Sequence, residues 1–298
     1  MSIKELISPS MRRKLYKILD FLPDKTVVKL QYRASVGRKL NLNNPVRFTE
    51  KVQWYKLNYR VPLMTQCADK YRMRSYVIDK GYGGNLPILY GVYDSFEDIK
   101  FNVLPKSFVI KCNNGSGTNI FIRNKADMDM RYVKSTVKSW KRVNTLSVGR
   151  EWAYKNIPQK IIIEEFLISD ESTDGSLNDY KILCFNGKPE YVWVDISRQS
   201  DHRRDFFDLE WNHLDVVSNY PLSSMPVSKP EGFETMLKIS EDFANDFPFV
   251  RVDFYSIRGN VYIGELTFYP WSGCVKFIPD SFDFKLGNLF VLPPVTML

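Results

Sequence analysis

The amino-acid sequence predicts an α+β fold, in which helices come first and antiparallel strands, interspersed with further helices, come after them. Up to about residue 80, apolar residues recur at the spacing of amphipathic helices. From residue 107 onward, short β-branched and aromatic runs are separated by glycine and asparagine turns. The 298 residues are 44% hydrophobic and contain no internal repeat, which excludes a disordered chain or a repeat protein.

Charge and residue usage restrict the chemistry. The 42 Lys and Arg residues outnumber the 34 Asp and Glu, and the net charge of +8 favours phosphate-bearing or polyanionic partners. Four scattered cysteines and only two histidines argue against a zinc site and restrict histidine catalysis. No apolar run reaches the roughly 18 residues of a transmembrane helix, so we expect a cytoplasmic protein. Its chemistry should depend on carboxylates, cations and metal.

Three helices are predicted in the first third of the chain. Residues 11–19 have a short apolar stripe opposite cations, typical of a helix on an anionic membrane surface or of a packed surface helix. Residues 48–57 start a second helix, with Thr49 as the expected N-cap. Residues 69–79 form a third helix, which ends at the glycines that follow it.

Turn signals and strand composition define the remaining elements. Residues 107–111 and 120–123 flank a Gly-Asn loop and predict a hairpin, and a basic helix at 128–141 follows. The further strand candidates are 160–168, 180–185, 191–196 and 203–207, and a helix at 231–245 precedes a final strand pair at 249–256 and 260–268.

A polar loop follows the first of these strands. Lys111 ends the strand, and residues 112–119 combine small polar side chains with two glycines. Such a loop can direct backbone N–H groups at phosphate oxygens while the lysine, which we expect to be unpaired without nucleotide, adds a positive charge. The loop lacks the Walker A pattern, and an asparagine–glycine hairpin turn without function is an equal alternative.

Two carboxylates interrupt a second apolar strand. Residues 161–163 are all isoleucine, and Glu164 and Glu165 follow them directly. One interpretation is a hinge that pairs with the edge of an adenine ring while apolar neighbours enclose the ring. Surface glutamates at a strand end are the alternative.

The C-terminal hairpin carries the most informative cluster. If Tyr255 pairs with Ile263, four polar side chains share one face of the hairpin: Arg251, Asp253, Glu265 and Thr267. Asp253 then lies directly opposite Glu265, and these like charges repel each other. A divalent cation would remove the repulsion, and oxygen ligands suit Mg²⁺. A solvated charged face, or neutralisation of Asp253 by Arg251, is the alternative.

Four ordered motifs together resemble the ATP-grasp superfamily, and closely its TupA-like branch, which occurs in bacterial surface-polysaccharide gene clusters. The motifs are ADK at 68–70, FVIKCNNGSG at 108–117, IIIEEFL at 161–167, and RVDFY with YIGELTFYP between 251 and 270. The resemblance covers about residues 45 to 290. Members often carry the label glycosyltransferase, although these motifs are those of ATP-grasp ligases.

The resemblance implies an ATP-grasp fold, in which the antiparallel sheets of two α+β subdomains enclose ATP. The expected division is a helical N-terminal segment at 1–66, a subdomain with the phosphate loop at 67–168 and a subdomain with the metal site at 169–298. The short helical segment stands where the superfamily usually has an α/β domain.

The resemblance also implies roles for individual residues. The expected ATP contacts are Lys70, Lys111, Asn114, Gly115, Ser116, Gly117, Thr118, Glu164, Glu165, Phe166, Leu167 and Lys181. The expected metal ligands are Asp253, Glu265 and Thr267, of which Thr267 replaces the superfamily's usual asparagine. Arg251 and Lys111 are expected to act on the transferred phosphoryl group. Arg198, Arg203 and Arg204 form a basic stretch that receives an acidic substrate or is a solvated loop.

The implied activity is that of an ATP- and Mg²⁺-dependent carboxylate–amine ligase, which works through an acyl phosphate. The implied substrates are a uronic-acid carboxylate of a capsule or related glycan and an amino acid or amine. We expect no nucleic-acid partner, and peripheral contact with membrane-associated polysaccharide machinery. Two alternatives remain open: a phosphotransferase that acts on a sugar hydroxyl, and a glycosyltransferase, for which residues 127–129 supply a D-x-D sequence.

Overall fold

The computed structural model describes residues 21–115, 117–140, 149–168, 177–196 and 201–296. Within these ranges the strands form two antiparallel sheets, one of four strands and one of six, and seven α-helices pack around them. The predicted α+β class is therefore confirmed. The helix predicted at residues 11–19 lies outside the described residues. Across the described ranges, no helix has both the length and the apolar character that crossing a membrane requires.

Four helices precede the first strand: α1 (Asp24–Val36), α2 (Phe48–Asn58), α3 (Pro62–Ala68) and α4 (Met73–Asp79). The single helix predicted at 69–79 is wrong at its start, because Asp69 interrupts it with extended backbone (φ −82°, ψ 110°). The carboxylate of Asp69 accepts a hydrogen bond from the backbone N–H of Tyr71 at 2.9 Å. Such local bonding competes with the helix and separates α3 from α4.

Helix α2 does not use Thr49 as its N-cap, so that prediction is wrong. The N-cap residue is Arg47, and Glu50 accepts hydrogen bonds from the backbone N–H groups of Val46 and Arg47 at 3.0 and 3.2 Å. Thr49 instead donates its backbone N–H and its hydroxyl to the carboxylate of Asp283, at 2.9 and 2.8 Å. Thr49 therefore fixes α2 to the C-terminal helix of the chain.

The smaller sheet has four strands, β1 (Leu89–Tyr93), β2 (Phe108–Cys112), β3 (Asn119–Ile122) and β4 (Ile161–Glu164), in the spatial order β1-β4-β2-β3. Strands β2 and β3 form the predicted hairpin, with Ile110 opposite Ile120. The sequence does not predict β1, because this half-buried strand contains Gly91, which weakens a strand signal. Helix α5 (Met130–Trp140) packs on this sheet.

The larger sheet has six strands, β5 (Asp179–Phe185), β6 (Lys188–Ile196), β7 (Arg203–Phe207), β8 (His213–Leu214), β9 (Phe249–Ile257) and β10 (Asn260–Thr267), in the order β10-β9-β5-β6-β7-β8. Helices α6 (Phe233–Ala244) and α7 (Ser281–Leu289) accompany it. The turn between β9 and β10 has positive φ at Arg258 (50°) and Gly259 (76°). Positive φ at both central residues is characteristic of a type I′ two-residue hairpin turn.

Two main hydrophobic clusters stabilise the described parts of the chain. The smaller cluster joins the four-stranded sheet to α5. The larger cluster joins buried residues of the six-stranded sheet to α6 and α7, and also to α2, α3 and α4. The early helices thus share a core with a sheet that lies more than a hundred residues later in the sequence. The predicted boundaries at 66/67 and 168/169 stay predictions.

The bond between α2 and α7 gives a first test. Thr49→Val should lower the free energy of unfolding by about 1–3 kcal/mol, because the buried carboxylate of Asp283 loses a hydroxyl donor and the Tyr32 hydroxyl loses its partner. Urea unfolding measures the difference. Ser135→Ala on the exposed side of α5 is the control, with an expected change within about 0.5 kcal/mol. Equal stability of Thr49→Val and wild type would contradict the assigned role of the bond.

Candidate active site

One face of the six-stranded sheet carries polar side chains across five strands. Residues directly opposite each other on antiparallel strands point to the same face, as do residues two apart on one strand. The observed register places on this face, from β10 across to β7, Glu265 and Thr267, Asp253 and Arg251, Lys181 and Asp179, Trp193 and Asp195, and Arg204. We term this surface the charged face.

The C-terminal hairpin reaches this arrangement through a β-bulge. At its tip Tyr255 pairs with Tyr262, and not with Ile263 as predicted, and the register then shifts by one residue at Gly264. A Cβ atom at Gly264 would lie 3.1 Å from the ring of Tyr255, which leaves little space for a larger residue. Below the bulge the predicted pairs are present: Asp253 with Glu265, and Arg251 with Thr267.

Arg251 connects the polar groups of the hairpin. Its Nε and Nη2 donate to the two carboxylate oxygens of Asp253 at 2.5 and 2.6 Å, which forms a bidentate pair. The same Nη2 donates to Glu265 Oε1 at 3.2 Å and to Thr267 Oγ1 at 2.9 Å. The two opposed carboxylates are therefore balanced by a guanidinium, so neutralisation by Arg251, one of the alternatives from the sequence, is present.

Lys70 connects the hairpin with the polar loop of the smaller sheet. Its Nζ lies 2.8 Å from the carbonyl oxygen of Gly115 and 3.2 Å from Glu265 Oε2. Its backbone N–H donates to the carbonyl oxygen of Asn113 at 3.0 Å. One cation thus contacts both the loop and the carboxylate pair, which are about 150 residues apart in the sequence.

Burial and ion pairing both affect ionisation in the hairpin. Burial alone would raise the pKa of Glu265, but Lys70 and Arg251 outweigh it and hold that pKa below its usual value. Burial raises the pKa of Asp253 to about 6, against the attraction of Arg251 and Lys181. The Glu265 side chain is still 34% exposed. Glu265 is therefore the anionic member of the pair that solvent or a ligand can reach.

Lys181 is buried among three aspartates. Its Nζ contacts the carboxylate of Asp179 and lies 3.0 Å from Asp253 Oδ2 and 3.7 Å from Asp195 Oδ2. Burial would raise the pKa of Asp195, but its cationic neighbours and His202 outweigh burial and lower the pKa. Lys181 is thus a counter-ion of the charged face, and its expected contact with ATP stays a prediction.

Of the three arginines proposed to receive a substrate, the two that the structure describes, Arg203 and Arg204, lie on opposite sides of the sheet. Arg204 is buried, and its Nε donates to Asp195 Oδ1 at 2.6 Å. Arg203 precedes it on β7, so its side chain points to the opposite side of the sheet, where it pairs with Asp201 at 2.7 Å. Arg198 lies outside the described residues. Of the two described arginines, Arg204 belongs to the charged face.

On the smaller sheet, two cations hold Glu164. Lys111 Nζ lies 2.8 Å from Glu164 Oε2, and Arg74 Nη1 lies 3.1 Å from Glu164 Oε1. Arg74 also donates to the carbonyl oxygen of Pro87 at 2.8 Å. Glu164 is only 6% exposed, so it is not a surface glutamate. Because Lys111 pairs with Glu164, the expectation that Lys111 is unpaired without nucleotide is wrong.

Strand β4 ends before residues 165–167, which is earlier than the predicted end at 168. The backbone N–H of Glu165 donates to the carbonyl oxygen of Ile88 at 2.8 Å, and its carboxylate accepts from the Ile88 N–H at 3.1 Å. The Phe166 ring packs on Phe121 with ring centres 5.7 Å apart. The hydrogen bonds to Ile88 and the packing on Phe121 hold this segment beside apolar rings, as an adenine hinge requires. Its role as an adenine hinge stays a prediction.

Asn113 anchors the polar loop from within the protein. Its side-chain amide donates to Asp69 Oδ1 at 2.9 Å and accepts from the Lys160 backbone N–H at 2.7 Å. Gly117 has a φ of +68°, which favours glycine at the turn. The loop between β2 and β3 contains four of the predicted phosphate contacts, namely Asn114, Gly115, Gly117 and Thr118, whereas Ser116 lies outside the described residues.

The sequence interpretation missed several members of the site. Asp179 and Asp195 lie two residues from Lys181 and Trp193 on their strands, and this alternation could have indicated a common face. Arg74 gave no such signal, because its partner Glu164 is ninety residues away and in another element. Asn113 was part of a motif, but its buried anchoring contacts depend on the fold.

Lys111→Met tests the pairing of Glu164. The variant leaves a buried carboxylate with Arg74 as its cationic partner, so we expect the free energy of unfolding to fall by about 1–3 kcal/mol. Urea unfolding gives this value, and Lys106→Met, at an exposed lysine near the other end of β2, is the control. If both variants are as stable as wild type, the ion pair does not stabilise the sheet.

Glu265→Gln tests the balance of charge in the hairpin. A carboxyl group whose pKa is lowered by folding adds stability above its unfolded-state pKa and loses that contribution as the pH falls. We therefore expect Glu265→Gln to melt below wild type at pH 7, with the gap closing as the pH falls below about 4.5. A variant that melts above wild type at pH 7 would show that repulsion between Asp253 and Glu265 dominates.

The structure is similar to several solved structures. D-alanine–D-alanine ligase from Helicobacter pylori matches with a TM-score of 0.50 and 15% identity, over 83% of this chain and 69% of that one. An L-amino acid ligase from Bacillus licheniformis gives a TM-score of 0.46 and 15% identity, over 80% and 53%. D-alanine–D-alanine ligase from Bacillus anthracis gives 0.41 and 18%, over 68% and 57%, so the chain spans little more than half of that enzyme.

A search of curated proteins finds no match to the sequence. The model of one protein family, described as TupA-like ATP-grasp, matches residues 50–291. This range contains both sheets, the polar loop and the charged face. The expected ATP-grasp fold is therefore confirmed, and the chain belongs to the TupA-like ATP-grasp family.

Proposed function

We propose that this protein is an ATP-dependent carboxylate–amine ligase, which joins an acid to an amine through an acyl phosphate. The observation that carries the proposal is the position of Lys70, whose Nζ lies 2.8 Å from Gly115 O and 3.2 Å from Glu265 Oε2. These contacts join the polar loop to the carboxylate pair at a point where a triphosphate would meet both. Membership of the ATP-grasp family supports the assignment.

The cations proposed to bind the triphosphate are all paired with carboxylates of the chain. Lys70 pairs with Glu265, and Lys111 pairs with Glu164, at 3.2 and 2.8 Å. Arg251 pairs with Glu265 and, through two hydrogen bonds, with Asp253. Phosphate oxygens compete well for such cations, so nucleotide binding would exchange carboxylate partners for phosphate. Residues 164–167 would then border the adenine ring.

The hairpin also offers donors for magnesium. Asp253, Glu265 and Thr267 would hold Mg²⁺, which would supply positive charge to the phosphate oxygens. In the part of the chain that the structure describes, no group of three or more His, Cys, Asp or Glu side chains could hold a metal by itself. Two carboxylates and a hydroxyl nevertheless suit Mg²⁺, because this ion commonly uses one or two carboxylates together with substrate phosphates and water.

The proposed reaction has two steps. A carboxylate oxygen of the acid attacks the γ-phosphorus, a new O–P bond forms, and the bond to the bridging oxygen breaks as ADP leaves. The amine then attacks the carbonyl carbon, phosphate leaves, and the amine proton passes to solvent. Arg251 would offset the negative charge of the transferred group. Neither step requires histidine, in agreement with a chain that has only two.

For the acid we propose a uronic-acid carboxylate of a capsule or other surface glycan, and for the amine an amino acid or a related amine. The resemblance to the TupA-like branch of polysaccharide gene clusters supports this choice, and so does the net charge of +8. With such a glycan, the protein would act in the cytoplasm beside membrane-associated polysaccharide enzymes.

The D-x-D sequence gives no support to a glycosyltransferase. Asp127 accepts a hydrogen bond from the side chain of Asn124 at 2.7 Å. Asp129 accepts from the backbone N–H groups of Arg131 and Tyr132, at 2.9 and 3.1 Å, and so caps the first turn of α5. Both carboxylates thus have local structural partners. The phosphotransferase alternative uses the same ATP contacts, so its product, a phosphorylated sugar, distinguishes it from a ligase.

Hydroxylamine trapping tests the ligase proposal, because hydroxylamine converts an acyl phosphate into a stable hydroxamate. With MgATP and glucuronic acid or a glucuronate-containing oligosaccharide, we expect acid-dependent ADP release and hydroxamate formation. A phosphorylated sugar without hydroxamate would indicate a phosphotransferase. Turnover of a UDP-sugar without ATP would indicate a glycosyltransferase. Either outcome would overturn the proposal.

Arg251→Lys is the matched variant for this assay. It keeps the positive charge but cannot make the bidentate contact with Asp253. We expect ADP release to fall about 10²- to 10³-fold. Calorimetry with MgADP should show nearly unchanged nucleotide affinity. A variant that turns over at the wild-type rate would remove Arg251 from the catalytic step.

A further inference from the structure

The charged face continues beyond Arg251 into a group of aromatic rings around Arg204. The guanidinium carbon of Arg204 lies 5.4 Å from the ring centre of Trp193, 5.2 Å from that of Trp271 and 5.0 Å from that of Tyr220. Trp193 and Trp271 are stacked, with ring centres 4.3 Å apart. The proposed phosphoryl transfer uses none of these four side chains, so their arrangement needs another explanation.

This aromatic group adjoins the proposed reaction centre. The guanidinium carbon of Arg251 lies 4.9 Å from the ring centre of Trp193, and Arg204 contacts the same ring. Trp193 therefore connects the arginine assigned to the phosphoryl group with the aromatic group. A substrate held there would have a substituent within reach of Arg251.

The group has a buried floor and an accessible rim. Trp193 is fully buried and Arg204 nearly so, whereas Trp271 is partly exposed and Tyr220 is 37% exposed. The ring of His202 stacks on Tyr220 at 3.6 Å and steadies it. A ligand would therefore meet Trp271 and the exposed part of Tyr220, above a floor in which Arg204 is paired with Asp195.

The backbone that carries Trp271 is held in an unfavourable conformation. Trp271 and Ser272 have φ angles of 51° and 55°, in the left-handed region that non-glycine residues seldom adopt. Two side chains of α2 hold this turn: Lys56 Nζ and Gln53 Nε2 donate to the Ser272 carbonyl oxygen at 2.9 and 2.8 Å. Strain that is maintained by buried partners is frequent where a side chain must meet a ligand.

We propose that Trp193, Arg204, Tyr220 and Trp271 form a subsite, termed the aromatic subsite, that binds the sugar ring of an acidic carbohydrate acceptor. The C–H groups on one face of a pyranose pack against aromatic rings, and here Trp271 offers such a ring, with Tyr220 beside it. Arg204 is already paired with Asp195, so the preference for an anionic sugar over a neutral one comes from the adjoining Arg251. The sugar carboxylate points toward Arg251. This inference rests on the proposed ligase function and assigns the acid-binding part of that site.

An acyclic acid would use the subsite poorly. A free amino acid has a carboxylate for Arg251 but no ring face for Trp271. Trp271 and Arg251 together therefore select for an acid that is also a sugar.

Binding measurements without turnover test this inference on the full chain. Saturation-transfer NMR and calorimetry are carried out with D-glucuronate, with N-acetylglucosamine as a neutral ring and with L-glutamate as an acyclic acid. We expect glucuronate to bind at least about tenfold more tightly than either comparator. Calorimetry with MgADP on the same samples reports the nucleotide site separately.

Trp271→Leu and Tyr220→Leu should each weaken glucuronate binding about tenfold and leave the MgADP affinity unchanged. Trp54→Leu, at a partly exposed tryptophan on α2, is the control and should change neither. Wild-type glucuronate affinity in both rim variants would overturn the aromatic subsite. Equal binding of L-glutamate would overturn the sugar class. Absence of glucuronate binding in a protein that binds MgADP refutes the subsite alone, whereas absence of MgADP binding refutes the ligase proposal.

Discussion

The arrangement of the six-stranded sheet depends on one constraint, the burial of Asp253 in the middle of a polar face. A carboxylate taken out of water is tolerated only when cations and hydrogen-bond donors surround it. Arg251 and Lys181 meet that need from its own strand and from the neighbouring strand. Lys181 in turn requires Asp179 and Asp195, and Asp195 requires Arg204. Because Arg251 also pairs with Glu265 on β10, the charged face is one connected ion network that extends from β10 to β7.

This network has a consequence for ligand binding. The carboxylates that contact Lys70, Lys111 and Arg251 keep these cations in place. In the proposed function, phosphate binding would require these cations to move little, because one set of anionic oxygens would replace another. Glu265 and Glu164 would then be the internal counterparts of the phosphate oxygens. A site that is charged in advance in this way has a lower cost of reorganisation than one that must first collect its cations.

The parts of the fold that follow from local patterns could be predicted from the sequence. The strands β9 and β10 alternate polar and apolar residues around a two-residue turn, so the common face of Arg251 and Asp253 was evident. The bulge at Gly264 was not, because a glycine in a strand does not by itself fix a register. Thr49 has the properties of an N-cap, but a bond to Asp283, more than two hundred residues away, determines its position. Likewise, the pairing of Lys111 with Glu164 exists only because β4 lies beside β2.

The bulge at Gly264 decides to which face of the hairpin the Glu265 side chain points. With the tip register continued unbroken, Glu265 would face Val252, and its carboxylate would point into the hydrophobic core. The single extra residue turns the Glu265 side chain to the other face of the hairpin and places its carboxylate beside Asp253. An insertion of one residue between the turn and Glu265, without a second bulge, would turn the carboxylate back toward Val252 and the core. A deletion of Gly264 would instead remove the bulge and leave the glutamate opposite Asp253. Among related sequences, a hairpin that is one residue shorter at this point should therefore have a regular ladder without a bulge.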